Sequence, residues 1–90
     1  MAAIADAVAA GADSLAPEPL KSARQHLAAA NSEQQAKHAD RSALLAHEAI
    51  ADATYARAEA ERVSADRARA AAAAQLNQLT SSSSSAGVRQ

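Results

Sequence analysis

The sequence has no cysteine, no tryptophan and no phenylalanine, one tyrosine, two glycines and two prolines. Without cysteine there is no disulfide, no thiolate metal site and no thiol chemistry. A single aromatic ring excludes the row of stacking platforms used to bind single-stranded nucleic acid. So few turn-formers argue against a sheet-rich fold. No apolar run approaches the ~20 residues of a membrane span. Neither charge sign dominates, since nine basic and ten acidic side chains leave a net charge of −1, which is not the basic footprint of a nucleic-acid binder. The first twelve residues carry Asp6 and no lysine or arginine, so neither a cleavable secretory signal nor an Arg-rich transit peptide is expected. The expectation is a soluble protein, intracellular or held within a virion or other large assembly.

Large apolar side chains are scarce as well. The chain is 49% hydrophobic, but thirty of its ninety residues are alanine. Leu, Ile, Val and Phe together number 12, below the roughly 20% of a chain that accompanies a packed core. A buried alanine removes little area from water at ~25 cal/mol per Å². Ordering each residue costs ~1–2 kcal/mol. An independent globular core is therefore not expected, and partners must supply buried surface.

What the chain has is helix-forming sequence. Residues 2–10 (AAIADAVAA) favour helix through alanine's propensity. Ile4 and Val8 share a face at i,i+4, and residues 1–12 are expected to act as a docking arm through those two side chains. Gly11 stands where a left-handed residue would stop this helix. Residues 13–18 form a Pro-containing connector, with Pro19 suited to the first turn of the next helix. From residue 20 to residue 79 there is neither proline nor glycine. The spacing predicts a long Ala-rich helical segment over 19–79, with a possible break at Asn31-Ser32. There Ser32 and Gln35 match a capping box. Residues 80–90 (TSSSSSAGVRQ) read as a flexible tail. The fold class expected is all-α: an extended long helix or helical hairpin, coiled-coil-like, with a short N-terminal helix.

The 3–4 spacing defines an apolar seam. Ala36, Ala39, Ala43, Ala46, Ile50, Ala53, Ala56, Ala60 and Val63 follow one another at steps of three or four, with one departure from heptad phase near Ala53–Ala56. Small side chains there let helix backbones approach at the lower end of the usual 8–10 Å range. Leu20, Leu27, Leu44, Leu45, Leu76 and Leu79 are expected to pin register along this weak seam. Leu44 widens the stripe, and Leu45 lies off it on a second face. Tyr55 is a candidate anchor, because its ring buries area at small entropic cost. Off the seam, Arg57–Glu61, Glu59–Arg62, Arg62–Asp66 and Asp66–Arg69 interlace as a solvated, salt-bridged face.

Chemistry is not expected. His26, His38 and His47 are 12 and 9 residues apart, so no two share a helical turn as a metal pair must. There is no G-x-S-x-G elbow and no glycine-rich phosphate loop. No catalytic residue, metal or cofactor is expected. The function expected is that of a structural or interaction protein whose partners are further copies of itself or a larger protein assembly, with nucleic acid an unfavoured partner. A second reading comes from residues 51–74 (ADATYARAEAERVSADRARAAAAA), which resemble late-embryogenesis-abundant desiccation helices, though without an exact 11-residue repeat. That resemblance implies a conditionally disordered protective or membrane-surface helix.

Overall fold

Alanine-rich sequence without proline or glycine has no local reason to leave the helix, and the computed structural model changes direction at only three places, centred on Gly11, Ala16 and Lys37. It describes the backbone of residues 1–88 and the side chains of residues 1–83. Four helices result: α1 (Ala2–Ala9), α2 (Ala12–Leu15), α3 (Pro17–Gln35) and α4 (Ala39–Val88). No strand occurs among the described residues. The architecture is a helical hairpin of α3 and α4, with α1 and α2 folded back against α4.

Each break has its own cause. Gly11 adopts φ 90°, a left-handed conformation that costs glycine nothing, and its N–H donates to the Val8 carbonyl at 2.9 Å. Ala16 (φ −148°, ψ 60°) precedes Pro17, and a residue before proline is driven out of the α region. Pro17 then opens α3, two residues before the start expected at Pro19. The expected connector over 13–18 thus holds most of the single turn of α2 and the first two residues of α3.

The third break falls at residues 36–38 rather than at Asn31-Ser32, which lie inside α3. Lys37 is left-handed at φ 63°. Its N–H donates to Gln34 O at 3.0 Å, and the His38 N–H donates to Glu33 O at 2.8 Å. Those two bonds are the Schellman closure of a helix end. The hydrophobic contact that usually accompanies it is replaced by a polar side-chain contact, His38 Nδ1 to Glu33 Oε2 at 2.6 Å. Asn31 and Ser32 each cost the helix only a few tenths of a kcal/mol, and α3 continues past them. Ala30 just before them is buried, and its carbonyl accepts a hydrogen bond from Ser42 Oγ on α4 at 2.9 Å.

The core is thin and made of methyl groups. Ala7, Ala12, Ala16, Leu20, Ala56 and Ala60 form one buried cluster, with Ile4, Ala10 and Leu15 packed against it. Leu20 is the only large side chain in the described residues that is fully buried. Beyond Val63, α4 leaves the hairpin: every residue from 64 to 83 is exposed, a projection of ~30 Å at 1.5 Å per residue. The molecule measures 80 × 16 × 14 Å. The serine run begins on this projection, with residues 80–83 helical. The side chains of 84–90 and the backbone of 89–90, part of the expected tail, lie outside the described residues.

Candidate helix-packing interface

The face of α4 that meets α3 and α1 repeats at four and three residues. Ala49, Ala53, Ala56 and Ala60 are all fully buried, with Leu45 and Val63 half-buried at either end. Opposite them stand Leu20, Ala23 and Ala30 of α3, also buried, and half-buried Leu27. Methyl against methyl lets the helices close up, which recovers dispersion contacts that bulkier chains would otherwise supply.

Polar pins set the register of this seam. Ser22 Oγ donates to Asp52 Oδ2 at 2.8 Å. The His26 ring reaches the same oxygen through Nδ1 at 2.6 Å and Glu48 through Nε2 at 3.3 Å. The Ser22 hydrogen bond is the main cause that holds the Asp52 carboxyl below its ordinary pKa; partial burial opposes it and His26 adds to it. At the turn, Ser42 bonds to Ala30 as described. Together these contacts join residues 22 and 26 to 48 and 52, and residue 30 to 42, an antiparallel match in which the two numbers sum to between 72 and 78.

The expected seam residues divide. Ala53, Ala56 and Ala60 are buried, and Ala46 and Val63 half-buried. Ala36 sits in the turn, while Ala39, Ala43 and Ile50 are exposed. Near the turn the buried line passes through Ser42, Leu45 and Ala49 instead, because those positions follow Ala53 back along the same helix face at steps of three and four. Among the expected pins, Leu20 is buried, and Leu27 and Leu45 half-buried. Leu44, Tyr55, Leu76 and Leu79 are 61%, 59%, 64% and 67% exposed. On the N-terminal arm Ile4 packs against the chain's own core cluster. The buried partner on its face is Ala7, not Val8, which is exposed. An i,i+3 face, Ile4–Ala7, meets α4 where an i,i+4 face had been expected.

The Ser22–His26–Asp52 contact was missed by sequence reasoning. The three residues come from two helices, and nothing local to either marks them as partners. On the exposed side, the interlaced pairs form as the spacing predicts: Arg57–Glu61 at 2.9 Å, Arg62–Glu59 at 2.9 Å, Arg62–Asp66 at 2.9 Å and Arg69–Asp66 at 2.9 Å. Glu59 is held below its ordinary pKa by the Arg62 hydrogen bond. Arg57 and Arg62 are raised above theirs by Glu61 and Glu59. Among the described residues no three histidine or acidic side chains are grouped to hold a metal ion. No helix of the described residues is long and apolar enough to cross a membrane.

Hairpin, back-folded arm and bare projecting helix define an all-α protein whose organised surfaces, among the described residues, are helix faces. Residues 1–83 match the model of the domain of unknown function DUF4398, and the chain belongs to that family. The match spans the hairpin and the projecting helix alike. No curated protein and no solved structure matches the chain.

Proposed function

We propose that this protein is a non-enzymatic structural component, a helical strut that packs into a larger multi-protein assembly such as a virion, filament or secretion complex. The observation that carries the reading is the projecting part of α4. Twenty residues, 64–83, are helical with every side chain exposed, and Leu76 and Leu79 stand on this segment without apolar cover. Most helical stability in proteins comes from tertiary packing of one face, which this segment lacks within the chain, and burying a leucine stabilises by ~1.5–3 kcal/mol. Docking of this segment therefore supplies what the chain's own thin core does not.

Two measurements test it. In gentle extracts of cells that make it, the protein should migrate in a complex far above its own 9.1 kDa. Migration as a free monomer would overturn the reading. Circular dichroism of the purified chain should show high helicity in plain buffer. Helicity that appears only with anionic vesicles would favour the protective or membrane-surface helix instead.

A further inference from the structure

The outward side of α4 carries a second pattern, independent of the hairpin seam. Leu44, Ala51, Ala58, Ala65, Ala72 and Leu79 recur at intervals of seven and are exposed throughout. At 3.6 residues per turn, Ala58 lies ~160° around the helix from buried Ala60, so this stripe faces away from α3 and α1. A strict seven-residue repeat, here one apolar position per heptad rather than the two of a full coiled-coil seam, stays in register with a partner helix through a left-handed supercoil. Tyr55 and Leu76, also exposed, border the stripe on one edge.

We propose that this stripe is a self-association surface on which a second copy of the chain docks, α4 against α4, parallel and in register. The proposal rests on the assembly role above and names one partner within it. Charge selects the arrangement. One edge of the stripe carries His47 and Glu61; the other carries Glu48, Arg62 and Arg69, Glu48 being the residue that also reaches His26. In a parallel pair each edge meets the opposite edge. Arg62 then faces Glu61 of the second copy, and Glu48 faces its His47, each twice by symmetry. In an antiparallel pair each edge meets itself, which sets Arg62 against Arg62 and Glu61 against Glu61. Like charges so placed select against that arrangement. The bonds Arg62 makes to Glu59 and Asp66, and the bond Glu61 makes to Arg57, lie on exposed or half-exposed side chains and exchange at little cost.

Length selects how much of α4 takes part. From Leu44 to Leu79 the stripe runs ~52 Å, and a strip ~10 Å wide along it covers about 1,000 Å² over both copies, the lower bound for a specific interface. The projecting segment alone would supply about half of that. The contact must therefore run along the back of the hairpin as well. Leu44 and Leu79 close its two ends, and the alanines between them permit close approach.

The chain has no cysteine, so single cysteines report the geometry directly. Light scattering of the purified full chain should give twice the 9.1 kDa monomer. Ala65→Cys should cross-link to itself under mild oxidation. The double variant Ala58→Glu and Ala65→Glu should weaken association on the order of a hundredfold with unchanged helicity, since both positions are exposed. Three results would each overturn the inference: a wild-type monomer at high concentration, a dimer that survives the double glutamate variant, or preferred cross-linking of Ala58→Cys to Ala65→Cys, which marks an antiparallel pair. A purified monomer that nonetheless runs at high mass in extracts would remove the second copy and leave the assembly role standing. A monomer in both settings would remove both.

Discussion

Asp52 is the point at which the two hairpin helices meet through charge rather than methyl groups. Its carboxylate accepts from Ser22 and from His26, and its pKa is lowered from the ordinary 3.8. A lowered folded-state value means that the contribution to stability is complete above the unfolded value and is lost as pH falls through the folded one. The thermal midpoint should therefore drop on acidification below about pH 4. Asp52→Asn should flatten that drop and, at neutral pH, cost about 1 kcal/mol, read as a fall of roughly 4–8 °C. A pH profile identical to wild type would remove Asp52 as the source. The seam itself is tested by size. Ala53→Leu, at a fully buried position, should destabilise by ~1–3 kcal/mol through overpacking. Ala70→Leu, on the exposed projection, should leave the unfolding midpoint in place. Equal effects from the two substitutions would mean that no close-packed alanine contact exists at residue 53.

At the scale of elements, the helix ends are held by two residues in left-handed conformation, and they respond in opposite ways to substitution. Gly11 at φ 90° has Leu15 Cδ1 only 3.3 Å from where a Cβ would stand. Gly11→Ala should lower stability by about 1 kcal/mol or more, from backbone strain and from displacing Leu15. Lys37 pays a left-handed penalty at φ 63°, so Lys37→Gly should raise stability by about 0.5–1 kcal/mol. Denaturant titration of the pair checks both signs, and a loss on Lys37→Gly would show that the lysine stem contributes more than its backbone costs. Gly11 was legible as a stop signal because glycine alone adopts this conformation freely. Lys37 was not, because lysine has no such preference. The hairpin turns there because Glu33, Gln34 and His38 complete a Schellman closure around it.

The whole molecule is a rod with a head. Its radius of gyration is 21.6 Å, against about 12 Å for a compact chain of this length. Among the described residues all the buried ones lie between Ala7 and Ala60, so the head carries the cooperative stability and the described projection adds helix without tertiary support. Ending the chain after Val63 should remove helical circular-dichroism signal in proportion to the missing residues and, at concentrations low enough to keep both chains monomeric, leave the unfolding midpoint unchanged, as expected for distant, independent parts. A large fall in the midpoint would show that the projection supports the head.

The all-α class, the scarcity of core, the helix stop at Gly11 and the alternating ion pairs of 57–69 follow from composition and local spacing, because propensity and i,i+4 contacts are local quantities. Which alanines are buried does not. With a third of the chain alanine, apolar lines run along several faces of α4, and each methyl gains so little from burial that the faces differ by small energies. The line through Ala43 and Ile50 and the line through Leu45 and Ala49 are near equals on that account. Tertiary structure chooses between them through long-range polar contacts, Ser22 and His26 to Asp52 and Ser42 to the Ala30 carbonyl. These bonds fix the rotation of α4 against α3, so Leu45 and Ala49 turn inward while Ile50 stays in solvent.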